Sequence, residues 1–162
     1  MMRATRSLNA RRACSLAIGI AFGSGIGLRG DYFDNSYFTG TRIRRIDPVV
    51  DFDWGGGQPD AAIGADTFSV RWVGQVQPRF SETYTFYVVG DDGVRLWVNN
   101  QLLVDRWIDQ GPTEYSGFLP MQAGNLYDIR FEYYENGGGA VARLLWSSPT
   151  VNKEVIPAAQ LY

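Results

Sequence analysis

The chain has 162 residues, of which 45% are hydrophobic, 20% charged and 14% aromatic, and this suits one domain with a sizeable core. It contains no histidine, which excludes histidine-based nucleophilic triads, histidine-ligated zinc and a histidine pH switch. Its single cysteine, Cys14, excludes intramolecular disulfides and paired-cysteine metal sites. Residues 31–162 carry 10 basic and 17 acidic groups, and this net negative charge argues against nucleic-acid binding.

Residues 1–27 differ in composition from the rest of the chain. A basic stretch at 1–12 precedes an apolar run of small residues at 13–27, which is the layout of a secretory signal peptide. The run is too short and too rich in glycine for a membrane span, so none is expected. The segment equally suits an arm that joins copies of the chain in an assembly. Both interpretations predict an extracellular or surface location.

From Leu28 onward the sequence predicts strands, because apolar and polar residues alternate and no apolar stripe of helical period persists for three turns. The alternation is clearest in 84–88 and 94–98. Asn99 and Asn100 predict a two-residue hairpin turn, since asparagine tolerates a positive φ. Residues 53–59 are expected to form a long irregular loop. The predicted strands are Leu28–Phe33, Thr67–Val76, Thr83–Val89, Val94–Val98, Gln101–Trp107, Glu114–Leu119, Leu126–Tyr134 and Val141–Ser147. Many short strands at this spacing favour an all-β fold, an antiparallel sandwich or barrel.

Several motifs in this order resemble one known family. They are LRGDYF at 28–33, FSVRWVG at 68–74, YTFY at 84–87, GDDGVRLWVN at 90–99, AGNLYDI at 123–129, EYYE at 132–135 and AVARLLW at 140–146. Together they closely resemble the PA-fourteen domain family, named from the N-terminal domain of anthrax protective antigen and shared by yeast flocculins, adhesins and some glycosidases. The resemblance covers about residues 28–162 and implies a β-sandwich-like barrel that binds glycans in many family members.

The resemblance also implies a calcium site. In calcium-dependent flocculin-like lectins the pair that matches Asp91 and Asp92 is joined by a cis peptide and binds Ca²⁺, and a second loop supplies an asparagine. Asn136 is the corresponding candidate here. Ca²⁺ takes six to eight oxygen ligands, so open positions on it would accept the vicinal hydroxyls of a neutral sugar. Asp91, Asp92 and Asn136 are therefore the candidate metal ligands and carbohydrate contacts. The alternatives are a purely structural Ca²⁺, or no metal and two aspartates that only shape the turn.

The tryptophans are mostly assigned to packing. Trp72, Trp97 and Trp146 match core positions of the family, whereas Trp107 is a weaker candidate for contact with a sugar. Asp51 and Asp53 are a weak candidate for a second cation site. No acidic pair is placed like that of a glycosidase, so no enzymatic activity is expected. The sequence thus favours a calcium-dependent lectin-like module. The alternative is a structural subunit of a filament or virion coat, assembled as a homo-oligomer through residues 1–27.

Overall fold

A computed structural model describes residues 23–162, and the predictions of a signal peptide or an assembly arm lie mostly outside the described residues. The described chain contains eleven strands and one short 3₁₀ helix, Ala158–Gln160. The strands are β1 (Leu28–Phe33), β2 (Thr41–Asp47), β3 (Asp51–Gly55), β4 (Phe68–Val76), β5 (Thr83–Asp91), β6 (Gly93–Val98), β7 (Gln101–Arg106), β8 (Thr113–Pro120), β9 (Tyr127–Glu135), β10 (Ala140–Ser147) and β11 (Glu154–Val155).

The strands form two antiparallel sheets that pack face to face. The six-stranded sheet has the order β2-β1-β4-β9-β6-β7, and the five-stranded sheet has the order β11-β10-β5-β8, with β3 paired to β10. This confirms the predicted all-β sandwich, and within residues 23–162 neither sheet closes into a barrel. In the same residues no helix is long and apolar enough to cross a membrane.

The core lies between the sheets because each strand alternates inward and outward side chains. Trp72 and Trp146 are fully buried, which confirms two of the three tryptophans predicted for the core. The ring of Phe131 stacks on that of Trp72 with the centroids 5.3 Å apart. Trp97 was wrongly predicted for the core. It is half-buried on the outer face of the six-stranded sheet, because its neighbours Leu96 and Val98 are the residues of β6 that point inward.

Strands β2, β3 and β11 were not predicted. Residues 53–55, expected to begin an irregular loop, belong instead to β3, which pairs with β10. The run of glycines in this segment indicates a loop. The ring of Phe52 nevertheless stacks on those of Trp54 and Trp72, with centroids 4.8 and 5.8 Å apart, and this packing holds the strand. The charged strand β2 is held by pairing with β1. The predicted turn at Asn99 and Asn100 is confirmed, with φ values of 51° and 59°.

The outer face of the six-stranded sheet carries a row of alternating charges that runs across all six strands. In strand order the row is Arg44, Asp31, Arg71, Glu132, Arg95 and Asp105, each directly opposite the next in the pairing register. Opposite charges in directly paired positions stabilise a sheet. Glu132, at the centre of the row, is 3% exposed. It accepts hydrogen bonds from Arg71 Nε at 2.8 Å and pairs with Arg95 at 2.7 Å.

The residues just before β1 are joined to the end of the chain. Gly25 N–H donates to the Ala159 carbonyl at 3.2 Å, and Gly27 N–H donates to the Leu161 carbonyl at 3.1 Å. The domain boundary between residues 27 and 28 remains a prediction, and these two hydrogen bonds make it testable.

We expect a chain that begins at residue 28 to fold, because the core residues begin at Leu28, but to be less stable than a chain that begins at residue 25. Two backbone hydrogen bonds are lost, and each contributes about 0.5–1.5 kcal/mol. Urea unfolding followed by near-ultraviolet circular dichroism measures both points. A chain from residue 28 that does not fold would show that this boundary is misplaced, and equal stability of the two chains would show that the two hydrogen bonds contribute nothing.

Candidate functional site

The candidate site lies where β5 ends at Asp91 and β6 begins at Gly93. The peptide bond between Asp91 and Asp92 is cis, as the resemblance implies. The flanking glycines leave no room for a side chain. A Cβ atom at Gly90 would lie 2.2 Å from Val94 Cγ1, and one at Gly93 would lie 2.0 Å from the ring of Tyr134. Tight packing therefore requires the Gly-Asp-Asp-Gly sequence to keep glycine at both ends.

Asp92 is buried, with 5% exposure, and both of its carboxylate oxygens accept backbone hydrogen bonds. Gln110 N–H donates to Oδ1 and Asn136 N–H donates to Oδ2, both at 2.8 Å. These donors belong to two different loops, 107–112 after β7 and 136–139 after β9. One carboxylate thus fixes two loops at the β5–β6 junction.

Side chains of the two loops reinforce this arrangement. Asp109 accepts hydrogen bonds from the Tyr134 hydroxyl at 2.6 Å and from Asn136 Nδ2 at 3.0 Å. Gln110 Nε2 donates to the Asp92 carbonyl at 3.1 Å, while its Oε1 accepts from the Tyr115 hydroxyl at 2.6 Å. The position of each loop is therefore set by several hydrogen bonds.

Glu135 is a third carboxylate at the site. It is the last residue of β9, its side chain is completely buried, and its Oε1 atom has no hydrogen-bond partner within the described residues. The Tyr133 hydroxyl donates its one proton to the Asp91 carbonyl, and Oε2 of Glu135 lies 3.3 Å from the same hydroxyl oxygen. One carboxylate oxygen each from Asp91, Asp92 and Glu135 lie within 4.8 Å of one another.

The pKa values reflect this crowding of acids. Burial, and then the charges of Asp92 and Asp91, raise the pKa of Glu135 from its ordinary 4.5 to about 7. Burial and the neighbouring Asp92 also raise the pKa of Asp91. Each raised pKa means that the ionised form of the carboxyl group is disfavoured in the folded protein. A cation among the three carboxylates would stabilise their ionised forms and remove this free-energy cost.

The oxygens present suit a hard cation such as Ca²⁺. Carboxylate oxygens are its preferred ligands, and a buried carboxylate oxygen without a hydrogen-bond donor is costly unless something pairs with it. Glu135 Oε1 is such an atom. The residues therefore fit a calcium ion on an observation of the structure itself, independently of the resemblance.

The predicted site residues come together only in part. Asp91 and Asp92 converge, while Asn136 donates its backbone N–H to Asp92 and its Nδ2 atom to Asp109. Trp107 packs against Tyr134, with ring centroids 4.6 Å apart, and beneath the guanidinium of Arg95. Its contact with a sugar remains a prediction.

Glu135 is a candidate ligand that the sequence analysis did not name. It stands in the EYYE motif at 132–135, and the alternation of β9 places it on the same inward side as Phe131 and Tyr133. Asp51 and Asp53, the weak second cation site, both pair with Arg143, at 3.2 and 3.3 Å. This guanidinium supplies the positive charge there.

Three comparisons relate the chain to known proteins. A family model described as PA14 domain matches residues 25–160. The anti-sigma-I factor RsgI3 of Acetivibrio thermocellus is 56% identical over 140 residues, which are 86% of this chain and 22% of that protein. A solved anti-sigma factor domain-containing protein has a TM-score of 0.84 at 56% identity, over 86% of this chain and 48% of its own. The chain thus spans less than half of either relative.

A more distant structure supports the fold alone. It is the PA14 sugar-binding domain from an RTX adhesin, with a TM-score of 0.68 at 17% identity, over 85% of this chain and 98% of its own.

We expect the metal-free protein to lose stability as the pH rises through the pKa of Glu135. That pKa is about 7 in the folded protein against an ordinary 4.5, so the contribution of this group is full below 4.5 and is lost above 7. The variant Glu135→Gln mimics the protonated side chain. Thermal unfolding in EDTA should find the two proteins similar near pH ~5 and the variant more stable near pH ~8. A variant that is equally or less stable at the higher pH would contradict the raised pKa.

Proposed function

The chain belongs to the PA14 domain family, and we propose that it is a calcium-dependent carbohydrate-binding module. The observation that carries the proposal is the convergence of Asp91, Asp92 and Glu135 within 4.8 Å, with one buried oxygen of Glu135 left unpaired. Three carboxylates so close together repel one another, and a divalent cation converts this repulsion into attraction. A binding role at the cation therefore explains why three acids lie together although their mutual repulsion costs stability without it.

The residues that would hold Ca²⁺ are Asp91, Asp92 and Glu135, with Asn136 as a further candidate. The Asn136 side chain donates through Nδ2 to Asp109, and its amide oxygen is the atom that can act as a ligand. When bound, the ion supplies coordination positions that oxygen ligands of a sugar can fill. Because Ca²⁺ takes six to eight ligands, a set of four protein side chains is compatible with such open positions.

The proposed ligand class is a neutral sugar with vicinal hydroxyls. Two adjacent hydroxyl oxygens replace two waters on the ion with little geometric change, whereas an anionic group would meet the neighbouring carboxylate of Asp109. The distant structural neighbour whose title names it a sugar-binding domain is consistent with this class. Trp107 borders the 107–112 loop and is proposed as a weaker sugar contact.

We propose binding rather than catalysis at this site. A glycosidase needs two carboxyl groups about 5–10 Å apart across a cleft, with space for the sugar between them. Here the three carboxylate oxygens lie within 4.8 Å of one another, which is a spacing for one shared cation. Asp92 is further occupied by two backbone hydrogen bonds.

The role of the module in a longer protein is a separate proposal. The 56% identity to an anti-sigma factor favours a regulator in which this domain recognises a ligand outside the part that binds the sigma factor. The structural-subunit alternative depends on residues 1–27 and gains no support from residues 23–162. We also propose a surface or extracellular location, because a sugar-binding module needs access to glycans.

We expect calorimetric titration with Ca²⁺ to find one site in the wild-type protein. Asp91→Asn and Glu135→Gln should each weaken binding at least about tenfold, or about 1.4 kcal/mol, because each removes a charged ligand. Asp60→Asn is a matched control, since Asp60 is an exposed loop residue whose hydrogen bond to Ala62 N–H an amide oxygen can also accept. No calcium binding by the wild type, or equal binding by all four proteins, would refute the metal site.

The sugar is tested separately with a glycan array, probed in Ca²⁺ and in EDTA. The proposal predicts a calcium-dependent part of the glycan binding that is present in Ca²⁺, absent in EDTA and in Asp91→Asn, and kept in Asp60→Asn. Calcium binding without any calcium-dependent glycan binding would leave the ion a structural role and overturn the lectin function.

A further inference from the structure

A groove with a volume of about 430 Å³ lies on the outer face of the six-stranded sheet, away from the carboxylate cluster. Its walls are formed by Val73 of β4, Trp97 of β6, Asn100 of the hairpin turn, and Asp128 and Arg130 of β9. Trp97 is four residues from Gly93 along β6, which corresponds to about 13 Å. Glu135 is also on the opposite face of β9 from Arg130, so the groove is a separate site.

The polar side chains of the groove can form hydrogen bonds beyond those that they make within the fold. Glu132 already pairs closely with Arg71 and Arg95, and Arg130 Nε lies 3.9 Å from it, beyond hydrogen-bond distance. Within residues 23–162 the side chain of Asp128 accepts one hydrogen bond, from Gln75 Nε2 to Oδ1 at 3.0 Å. The exposed side chain of Asn100 makes no hydrogen bond within the described residues. The groove is therefore lined by donors and acceptors that can form further hydrogen bonds with a ligand.

The apolar part of the groove gives it a fixed shape. The guanidinium of Arg130 lies over the ring of Trp97, 3.9 Å from the centroid. In this cation–π arrangement the positive charge is attracted to the face of the indole ring. This stacking holds the donors of Arg130 in place. The edge of the Trp97 ring and the side chain of Val73 add apolar surface beside them.

We propose that this groove is a second, calcium-independent saccharide site that takes a neutral sugar unit. Arg130 and Asp128 contribute opposite charges, so the groove favours neither a cation nor an anion. A sugar hydroxyl both donates and accepts hydrogen bonds, which matches Arg130 as donor, Asp128 as acceptor and Asn100 as both. The C–H groups of a sugar ring match the apolar surface of Trp97 and Val73.

The inference rests on the proposed function only for the class of ligand, since no residue of the groove belongs to the metal site. Two sites on one small domain would let one polysaccharide chain contact both, and binding at the second site would then gain from the first. The affinity of the domain for a polymer would therefore exceed its affinity for a single sugar, without any new contact.

The test is calorimetric titration of cellotetraose, xylotetraose, mannotetraose and galactotetraose into the protein in EDTA, a readout that does not depend on Trp97. We expect saturable binding of at least one probe, reduced at least tenfold by Trp97→Ala and by Asn100→Gly. Glycine keeps the positive φ of 59° at position 100 and removes only the side chain. Phe118→Ala is the control, because it removes an exposed aromatic residue from the other sheet and should leave binding unchanged.

Asp91→Asn separates this inference from the proposed function. It should abolish calcium-dependent glycan binding and leave binding in EDTA intact. No saturable binding of any probe in EDTA, or binding that Trp97→Ala and Asn100→Gly leave unchanged, would overturn the second site whether or not the calcium site is real.

Discussion

The carboxylate of Asp92 is the group on which the geometry of the site depends. Its two oxygens accept N–H groups from Gln110 and Asn136, and hydrogen bonds to an ionised acceptor are among the stronger ones in proteins. The β5–β6 junction, the 107–112 loop and the 136–139 loop are thereby held in one arrangement. Glu135, which immediately precedes Asn136, is placed beside Asp91 and Asp92 as a consequence.

The same arrangement also lowers the stability of the sandwich at one place in its interior. Glu135 is fully buried, one of its oxygens has no partner, and its raised pKa expresses the unfavourable ionised form. A ligand that binds only the folded protein adds stability that grows with the logarithm of its concentration over its dissociation constant, once that ratio exceeds one. A cation at the cluster would offset the cost, so the fold and the proposed function are coupled through one group of carboxylates.

Much of the fold could be predicted from local alternation, but features set by long-range packing could not. The alternation of 84–88 and 94–98 predicted β5 and β6, and the family resemblance, rather than any local pattern, pointed to Asp91 and Asp92 as the candidate site. Strand β3 was missed because its glycines resemble a loop and stacking of Phe52 on distant rings holds it. Glu135 was missed because its unpaired oxygen is a property of the folded protein.

The most direct test of the central claim is a crystal structure of the protein grown in CaCl₂ near neutral pH, with anomalous scattering used to locate calcium. The account predicts one calcium bound by Asp91, Asp92 and Oε1 of Glu135, with at least two of its coordination positions filled by water or, after soaking, by hydroxyls of a bound sugar. A structure with no calcium there, in which Glu135 Oε1 still has no cation or donor beside it, would contradict the account.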